Sequence, residues 1–582
     1  MLNCAARVRV VSASPGSGKT WLVAEAIKQE LKGWEKAGGI AALSFTNVAR
    51  DEISGALGCV PGSPHFVGTI DSFVYRHILR PFSHFIGLPI LRLISPESAR
   101  SFSSQFPPVL VGKARVNIFE VTFLGEEGAK LVLSARTRFQ GQVTLSDKDA
   151  KLAFEQKKEL WIKRKCLSTA DAIWLATRIL RHEKHGAFIR RTLASRFPFL
   201  IVDELQDTGW FLGVAIRALL SDEAVRGLLV GDPDQAIYAF NGARPDLFNE
   251  FLKLPGAKRH EIPYTRRCSD PICLTAKHLR QSGSELTRQA SLAGRSTLLV
   301  YDNAEADLEL VRQALSVAPF PGKSAIVTRR NVDVAALLKI SSPTPPDFGP
   351  VPIKFLHGAV NRLLLGEMAP ALALAKGALT YAVCKDANPA DDELVALGID
   401  LRQLRTEAIG LLISASKEVG GEDLLTWGTR MKGLLEATCA RNGWIDSKSK
   451  GAVKIKSPFA KLAGVDRKPL LAKDGPPSRT EIQTVHAVKG ETHEVTVLYA
   501  PDPKSPESCP SKLWWSADLQ DQEERRIAYV AATRPRTEFV LAVSAGTKDR
   551  LAELQPAFFR SFQVESTAEH LARLERQRTA AP

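Results

Sequence analysis

The sequence contains few cysteines, and they are not arranged as a metal or cluster site. Eight cysteines are scattered over 582 residues. No Cys-x-x-Cys pair occurs, and the closest two, Cys268 and Cys273, do not have the spacing of zinc or iron–sulfur ligands. We therefore expect reduced thiols, and this excludes a small disulfide-stapled protein.

Long hydrophobic runs are also missing. No window approaches the roughly 18 apolar residues that a membrane span requires, and no apolar leader precedes the first glycine-rich loop. Hydrophobic residues make up 45% and charged residues 24% of the chain, an ordinary globular composition. We expect a cytoplasmic protein of roughly three or four domains with no membrane partner.

Acidic residues are outnumbered by basic ones. The chain has 63 Asp and Glu against 78 Lys and Arg, a formal net charge of +15. This balance favours a polyanionic partner such as nucleic acid. A host whose proteins are generally basic would produce the same excess, so the charge alone leaves the partner open.

The most informative stretch is a glycine-rich loop near the start, Ala13-Ser14-Pro15-Gly16-Ser17-Gly18-Lys19-Thr20. A β-prone run precedes it and an amphipathic run follows it, which predicts strand, loop and helix. Such a loop directs backbone N–H groups at phosphates, while Lys19 reaches the β/γ-phosphates and Thr20 holds Mg²⁺. Ala13 stands where the pattern has its first glycine. By itself, the loop leaves a kinase, a GTPase, another ATPase or a chance glycine-rich turn open.

Two further predicted strands end in polar and aromatic residues. Phe45, Thr46 and Asn47 follow an apolar run at 40–44, and Thr69 ends a run beginning at 67. The carboxyl ends of parallel strands form the edge at which open α/β sheets bind ligands. Simple core packing is the alternative interpretation of Phe45.

Acidic residues end a strongly apolar run at 197–202. Asp203 and Glu204 then supply a partner for Mg²⁺ and a base for the attacking water. A second apolar run at 228–230 is followed by Gln235, whose amide is suited to sensing a γ-phosphate, and by Tyr238 and Phe240.

Taken together, these segments resemble the ordered motifs of the UvrD/Rep/PcrA branch of superfamily 1 helicases. The segments are 13–20, Ser44-Phe45-Thr46-Asn47, Gly68-Thr69-Ile70-Asp71, Asp203-Glu204-Leu205-Gln206-Asp207, Gly231-Asp232-Pro233-Asp234-Gln235, Tyr264-Thr265-Arg266-Arg267-Cys268, 482–490 and 523–534. The resemblance implies an α/β fold with two RecA-like P-loop NTPase lobes, each a parallel sheet with helices on both faces. It also implies two largely helical inserted subdomains.

The loss and return of the α/β pattern predicts the domain boundaries. The segments are lobe 1A at 1–76 and 192–265, insert 1B at 77–191, lobe 2A at 266–340 and 479–582 with a C-terminal tail, and insert 2B with linkers at 341–478. Within insert 1B, 152–165 predicts a helix with a basic face. We interpret that face as a solvated surface, with a phosphate-tracking role as the alternative.

The resemblance also implies an ATP·Mg²⁺ site between the lobes. Its catalytic residues would be Lys19, Asp203, Glu204 and Gln235 from the first lobe and Arg267 and Arg534 from the second. Residues 13–20, Arg266, Gly490 and Glu491 would contact the nucleotide, and Thr20 and Asp203 would bind the metal. Ordinary surface arginines are the alternative interpretation of Arg267 and Arg534.

A single-stranded DNA channel is implied across both lobes, with aromatic side chains that stack on bases without reading sequence. Its residues would be Phe45, Thr46, Asn47, Thr69, Tyr238, Phe240 and His486. A satisfied core histidine is the alternative interpretation of His486.

Several positions depart from the family pattern. Only twelve residues precede Ala13, so the family's upstream adenine-reading glutamine has no counterpart in this sequence. Arg266 replaces the tyrosine that stacks on adenine, so either its guanidinium or Tyr264 would take that place. The segment 489–493 lacks the apolar residue between Gly and Glu, and Asn241 replaces an arginine.

The leading functional hypothesis is an ATP-dependent 3′-to-5′ translocase and helicase acting on single-stranded and partly duplex DNA. About forty residues follow the last motif, so we expect any nuclease to be a separate chain. The short inserts and 488–493 resemble the small UvrD-like proteins of Gabija-type phage defence, which implies an OLD-family nuclease partner. A DNA-sensing regulatory ATPase that gates such a nuclease, with little unwinding of its own, is the alternative. A kinase or GTPase would leave Arg534 and the aromatic residues unexplained.

Overall fold

A computed structural model gives the fold of most of the chain. It describes residues 4–45, 47–58, 62–94, 109–111, 114–116, 118–127, 130–137, 141–238, 242–281, 286–288, 291–337, 351–364, 368–385, 394–395, 397–416, 423–447, 449–455, 480–502 and 522–579. The predicted linker at 341–346 and most of the predicted return at 448–477 lie outside these residues.

The first lobe is built on a parallel sheet that has six strands within the described residues. In spatial order the strands are Ala257–Ile262, Val8–Ala13, Arg226–Gly231, Phe199–Val202, Ile40–Ser44 and Phe66–Thr69. The four residues of Phe199–Val202 are all buried, as expected for parallel strands covered on both faces. In this order, the strands Val8–Ala13, Arg226–Gly231 and Phe199–Val202 are neighbours. Their carboxyl ends therefore bring the P-loop, Asp232 and Asp203 next to one another.

Helices cover both faces of this sheet. Those assigned to the first lobe are Lys19–Lys32, Asn47–Leu57, Ile70–Phe73, Trp210–Leu220 and Leu247–Leu252, with short helical turns at Leu205–Asp207 and Pro233–Gln235. Parallel strands require such crossover connections. The π-helical segment Val74–Leu79 leads into the first insert, which begins with the turns Arg80–Phe82 and Ser83–Ile86. The strand, loop and helix predicted around the P-loop are confirmed.

The second lobe repeats the architecture with another parallel sheet of six described strands. In spatial order these are Thr480–Thr484, Ser324–Thr328, His493–Tyr499, Pro535–Ser544, Arg295–Tyr301 and Gln563–Ser566. Its helices are Asp270–Lys277, Ala304–Val317, Asn331–Leu337, Gln522–Ala532, Ala545–Leu554, Pro556–Phe559 and Thr567–Thr579. A two-stranded ladder, Tyr264–Thr265 with Thr287–Arg288, lies at the passage between the lobes. The expected pair of parallel-sheet lobes is confirmed.

The segment expected to be a largely helical first insert contains a substantial antiparallel β component. The antiparallel strands are Val109–Val111 with Ala114–Val116, and Val121–Glu127, Lys130–Thr137 and Gly141–Thr144 in a second sheet. A short parallel pair, Arg92–Leu93 with Cys166–Leu167, also belongs to the insert. A short turn Ile118–Glu120 and the helices Asp147–Lys163, Thr169–Leu180 and Gly186–Arg196 complete it. The short apolar runs at 119–123 and 130–133 are therefore largely strands, because Val121–Glu127 and Lys130–Thr137 pair with each other in antiparallel register.

The basic helix of this insert is not uniformly solvated. Lys158 and Lys163 are exposed and pair with Glu155 and Glu159 on the same helix. Lys157, in contrast, is fully buried and donates from Nζ to Asp171 Oδ1 at 2.6 Å. The interpretation of a solvated face holds for the outer lysines and is wrong for Lys157.

The second insert is largely helical within its described residues, with turns and one isolated antiparallel bridge, Ile445 with Ala452, after the last helix. Its helices are Val351–Leu364, Met368–Cys384, Leu401–Ser416 and Leu424–Arg441. They enclose their own apolar core around Trp427, which is fully buried. Nowhere in the described part of the chain does a helix combine the length and the apolar character needed to cross a membrane.

Candidate nucleotide site and DNA-facing edge

The P-loop turns sharply between the strand Val8–Ala13 and the helix Lys19–Lys32. Gly16 and Gly18 have φ angles of 66° and 93°, a left-handed region that favours glycine. Space is also limiting at Gly16, because a Cβ there would lie 2.5 Å from the Cβ of Arg267. The second lobe therefore packs directly on the loop, and the Arg266 amide donates to the Gly16 carbonyl at 2.9 Å.

The polar side chains of the loop have weak or local partners. Lys19 Nζ donates to the Ala13 carbonyl at 3.2 Å, and Thr20 Oγ1 donates to Glu52 Oε2 at 3.4 Å. Ser17 Oγ is buried and has no hydrogen-bond partner among the described residues. A loop that carries a lysine, a hydroxyl beside a carboxylate and an unsatisfied buried hydroxyl fits a triphosphate with a bound cation.

Asp203 and Glu204 stand at the end of the strand Phe199–Val202. Burial, reinforced by the nearby Glu204 charge, raises the pKa of Asp203 to about 7. Burial acts in the same direction on Glu204, but the charges of Lys19 and Lys489 outweigh it and its pKa is lowered. Glu204 has a φ of 53°, a strained conformation for a residue with a side chain. The pair thus holds one ionised carboxylate beside one that is readily protonated.

An amide network ties these carboxylates to the neighbouring strand. Gln206 Nε2 donates to Glu204 Oε2, and Gln206 Oε1 accepts from the Asp232 amide at 2.9 Å. Gln235 Nε2 donates to Asp232 Oδ2 at 2.7 Å. The Gln235 side chain is therefore oriented by Asp232, with its carbonyl oxygen left to face the second lobe.

Arg534 meets that carbonyl oxygen from the second lobe. Its side chain is 2% exposed, and NH2 donates to Gln235 Oε1 at 2.9 Å. Nε and NH1 donate to the backbone carbonyls of Val530 and Glu491 at 3.1 and 3.3 Å. Burial, together with the adjacent positive charge of Arg267, lowers the pKa of Arg534 to about 9.

Arg267 lies beside Arg534 and is held less tightly. Its NH1 donates to the Thr533 carbonyl at 3.2 Å, and burial lowers its pKa. Two cations in one buried cleft repel each other, and they would be compensated by an anionic ligand. Neither side chain is an ordinary surface arginine.

A cavity of about 290 Å³ lies between the two lobes at this point. The predicted residues that line it are Pro15, Gly16, Gly18, Lys19, Thr20, Glu204, Gln235, Arg266, Arg267, Gly490 and Arg534. Ala13, Ser14, Ser17 and Asp203 are buried and do not line it. Glu52, Thr492 and Arg536 also line it, and no pattern in the sequence had singled them out.

Glu491, predicted to contact the nucleotide, does not line the cavity. Its carboxylate accepts from Lys323 Nζ at 2.7 Å and bonds with His493 Nε2 at 3.0 Å, and these partners lower its pKa to about 2. Thr492 takes the cavity position instead. Because the segment lacks an apolar residue after Gly490, counting along the motif placed the acidic side chain one position out of register.

Arg266 lies on the cavity wall with its guanidinium carbon 6.0 Å from the centroid of the Tyr264 ring. The two candidates for stacking on the nucleotide base are therefore in contact with each other. The alternative between them stays open.

The donor set fits a hard divalent cation. Thr20 supplies a hydroxyl, Asp203 a buried carboxylate and Glu52 a second carboxylate bonded to that hydroxyl. Mg²⁺ is usually held by one or two carboxylates together with substrate phosphates and water rather than by a complete protein cage. Among the described residues, no group of three or more His, Cys, Asp or Glu side chains is arranged so that it could hold a metal ion.

Aromatic side chains form a row at the same sheet edge. The Phe45 and Tyr238 rings stack with centroids 5.8 Å apart and planes inclined by 27°. Tyr238 also contacts the His486 ring at 5.8 Å, and Lys489 Nζ lies 4.8 Å from the Tyr238 ring centroid. The row spans both lobes, since His486 and Lys489 belong to the second.

The other residues predicted to contact DNA are less informative. Thr69 caps the helix Ile70–Phe73 by accepting from the Ser72 amide at 3.3 Å. Asn47 begins the helix Asn47–Leu57. Thr46 and Phe240, like Asn241, lie outside the described residues, as does the Asn47 side chain.

One segment of the first lobe collects contacts from the second lobe along its whole length. The contacts are Arg280 Nε to Asp234 Oδ2, Arg534 NH2 to Gln235 Oε1, Lys489 Nζ to the Gln235 carbonyl, Arg526 Nε to the Ala236 carbonyl, His486 Nε2 to the Ile237 carbonyl and Tyr238 OH to the His486 carbonyl. We call residues 234–238 the linking segment. It joins the cavity at Gln235 to the aromatic row at Tyr238.

Three residues that make these contacts, Lys489, Arg526 and Arg280, were not among the site residues predicted from the sequence. Lys489 and Arg526 stand inside recognised motifs, so the motifs themselves were a usable signal. Lys489 also forms an ion pair with Asp207, with Nζ–Oδ distances of 2.5 and 2.7 Å. Arg280 lies in no motif and gave no signal.

Comparison with protein families gives two matches. Residues 1–255 match the UvrD/REP helicase N-terminal domain, and residues 461–546 match the UvrD-like helicase C-terminal domain. Together the matches span more than half of the chain and include both walls of the cavity.

Similar curated proteins include the Gabija protein GajB of Bacillus cereus, 27% identical over 245 residues, which are 42% of this chain and 40% of that protein. The putative ATP-dependent DNA helicase YjcD of Bacillus subtilis is 24% identical over 404 residues, 62% of this chain and 53% of that protein. The ATP-dependent DNA helicase Rep of Escherichia coli is 26% identical over 262 residues, 40% of this chain and 35% of that protein. The chain therefore spans about half, or less, of the length of these relatives.

Proposed function

We propose that this chain, which belongs to the UvrD/Rep family of helicases, hydrolyses ATP to move along single-stranded DNA and to unwind duplexes. The observation that carries the proposal is the contact between Arg534 of the second lobe and Gln235 of the first, at the rim of a cavity that begins at the P-loop. Hydrolysis then depends on how the lobes sit relative to each other.

The chemistry assigned to the first lobe is activation of water and binding of the phosphates. Glu204 is the proposed base, since its pKa is held low enough for it to be ionised and able to accept a proton. Lys19 binds the phosphates, and Thr20 and Asp203 bind a divalent cation, with ATP and Mg²⁺ as the proposed cofactors. When bound, the cation neutralises charge on the phosphates.

The second lobe completes the site. Arg534 and Arg267 stabilise the negative charge that develops on the transferred phosphoryl group. Burial is the main cause of their lowered pKa values, and the charge of Arg267 adds to it at Arg534, so a nucleotide phosphate that binds beside them stabilises their charged forms. Arg266 and Tyr264 are proposed to contact the base, and Gly490 and Thr492 to lie beside the sugar.

Coupling to DNA is assigned to the linking segment. A base that stacks on Phe45 or Tyr238 displaces the contacts of Tyr238 with His486 and Lys489. Because Gln235 is three residues away in the same short segment, such a shift changes the position of its carbonyl oxygen relative to Arg534. Thr46, Asn47, Thr69 and Phe240 are proposed as further DNA contacts on the strength of the motifs alone.

Polarity and biological setting are finer proposals. We propose 3′-to-5′ movement from the resemblance to the helicase family. The match to the Gabija protein GajB, together with the short inserts, supports a role in phage defence beside a separate nuclease of the OLD family. The division of the chain into six segments at 76, 191, 265, 340 and 478 is likewise a proposal, and it rests on the loss and return of the α/β pattern in the sequence.

A second candidate function is a DNA-sensing ATPase that gates a partner nuclease and unwinds little by itself. The features that favour it are the replacement of the base-stacking tyrosine by Arg266 and the displacement of Glu491 from the cavity. Both weaken nucleotide contacts relative to the family pattern. Strand displacement by the isolated chain on duplexes with either a 3′ or a 5′ overhang separates the two candidates, since ready unwinding of the 3′-tailed duplex without a partner excludes the second.

The primary test is phosphate release from ATP with and without single-stranded DNA. We expect DNA to stimulate the wild-type rate at least about tenfold, and Glu204→Gln to lower it by about 10²- to 10⁴-fold, the usual contribution of a general base. Glu223→Gln, an exposed carboxylate of the same lobe, is the matched control and should behave as wild type. A wild-type rate that DNA leaves unchanged would refute the motor.

A further inference from the structure

Arg280 is anchored in the second lobe and makes hydrogen bonds to the first, while its guanidinium carbon lies 5.9 Å from the centroid of the Tyr529 ring of its own lobe. It follows the helix Asp270–Lys277, and its neighbour Leu279 is buried in the core of the second lobe. Arg525 of the same lobe donates to the Arg280 carbonyl at 3.0 Å. The backbone of Arg280 therefore moves with the second lobe.

The guanidinium of Arg280 reaches two separate elements of the first lobe. Nε donates to Asp234 Oδ2 at 3.0 Å, and NH1 donates to Ser14 Oγ at 3.3 Å. The Gln281 amide, also from the second lobe, donates to Asp234 Oδ1 at 3.0 Å. Both carboxylate oxygens of Asp234 thus accept hydrogen bonds across the cleft.

These groups are almost completely shielded from water. The Arg280 and Asp234 side chains are 4% and 3% exposed. A buried ion pair of this kind requires both partners, since removing one leaves an uncompensated charge. Separation of the lobes would create two such charges unless water enters, so the contact favours one relative position of the lobes.

Asp234 is also connected to the catalytic network. Its amide donates to Asp232 Oδ1 at 3.1 Å, and Asp232 Oδ2 orients Gln235, the residue that meets Arg534. Ser14 belongs to the P-loop, and its own amide is fixed by the Ile262 carbonyl at 2.9 Å. Arg280 accordingly holds the phosphate loop and the Gln235 turn in a fixed relation to the second lobe.

We propose that Arg280 is a positioning residue for ATP hydrolysis, which braces Ser14 and Asp234 against the second lobe so that Gln235 and Arg534 come into register when DNA is bound. The proposal rests on the proposed motor function. It assigns Arg280 to turnover rather than to nucleotide binding, since Arg280 does not line the cavity. Loss of the brace should lower DNA-stimulated kcat and leave the KM for ATP nearly unchanged.

The test compares Arg280→Gln, Asp234→Asn and the double variant in steady-state ATP hydrolysis with saturating single-stranded DNA. We expect each single variant to lose about tenfold or more in kcat with a change in KM below about threefold. The double variant should lose no more than the worse single variant, because the two residues act through one contact. Arg280→Lys should recover part of the rate by retaining the charge next to Asp234.

Controls separate this role from simple destabilisation. Arg312→Gln removes an arginine of the same lobe whose partner, Glu309, is on its own helix, and its kcat should stay at the wild-type value. Thermal unfolding of each variant shows whether it is folded at the assay temperature. If Arg280→Gln is too unstable to assay, Arg280→Lys and Asp234→Asn carry the comparison.

The proposed role of Arg280 is wrong if the folded single variants keep the wild-type DNA-stimulated kcat. It is also wrong if the losses in kcat of the two single variants multiply in the double variant. A loss confined to the KM for ATP also contradicts it. Failure of the motor function is recognised separately, because the wild-type protein itself would then show no DNA-stimulated hydrolysis.

Discussion

Replacing Arg534 with lysine keeps a basic side chain in the cleft and removes the planar fork that the structure uses. Three guanidinium nitrogens donate to three different acceptors, the carbonyls of Val530 and Glu491 and the side chain of Gln235. A lysine ammonium on a single flexible stem cannot reach all three positions at once. Arg534→Lys should therefore lose the contact with Gln235 while retaining a basic group in the cleft.

The size of the effect follows from the role of a cation at the transferred phosphoryl group. Arginines in that position contribute about 10³- to 10⁵-fold to kcat. Because lysine still places a basic group beside the phosphoryl group, we expect the lower end, about 10³-fold, which corresponds to about 4 kcal/mol of transition-state stabilisation. Affinity for ATP should change little, since the Lys19 side chain and the P-loop backbone are untouched.

Single-turnover hydrolysis with saturating DNA measures the chemical step, and binding of a fluorescent ATP analogue measures affinity. Arg536→Lys is the matched control, because Arg536 lines the same cavity but is 59% exposed and lies 4.0 Å from its partner Glu494. We expect Arg536→Lys to stay within about threefold of wild type. The reasoning is refuted if Arg534→Lys turns over at a near-normal rate, or if Arg536→Lys is impaired as severely.

Two other perturbations test the DNA-facing edge and the first insert. Tyr238→Ala should weaken binding of single-stranded DNA by about 1–3 kcal/mol through loss of base stacking, as measured by fluorescence anisotropy. Phe188→Ala, at an exposed aromatic residue, is the control. Equal effects of the two substitutions would contradict a stacking role for Tyr238. Lys157→Met should lower the free energy of unfolding of the first insert by about 3–5 kcal/mol, because it strands the buried Asp171 carboxylate. Lys158→Met, at the neighbouring exposed lysine, should lower the free energy of unfolding by less than about 1 kcal/mol, with urea titration as the measurement for both variants. An equally small decrease for Lys157→Met would show that the buried ion pair does not stabilise the insert.

The P-loop and the acidic strand end were predictable because each is a local pattern. Gly16 and Gly18 permit the left-handed turn of the loop, and the β-prone run before it and the amphipathic run after it predict a strand and a helix. Asp203 and Glu204 end an apolar run that must be buried. Once such strands are parallel and adjacent, their carboxyl ends meet at one edge, so the motif order already implied a shared site.

Contacts between distant segments were not predictable from such patterns. Lys157 lies on a helix face that reads as basic and solvated, and only its packing against Asp171 of the next helix shows that the charge is neutralised inside. Glu491 and Thr492 are neighbours in the chain. Which of the two faces the cavity depends on the position of Lys323 and His493, and this is set by packing of the second lobe.

By itself, the sequence determined the two-lobe architecture, the helicase family and most of the residues around the cavity, because glycine geometry, apolar strands and terminal acids act over a few residues. Tertiary structure alone decided that part of the first insert forms an antiparallel sheet and that Lys157 is buried. It also decided that Thr492 rather than Glu491 lines the cavity, and that Arg280 bonds to Ser14 and Asp234. Each of these depends on which side chain of one segment meets a distant segment. That choice is made when the lobes and inserts pack together, and no local pattern in the chain records it.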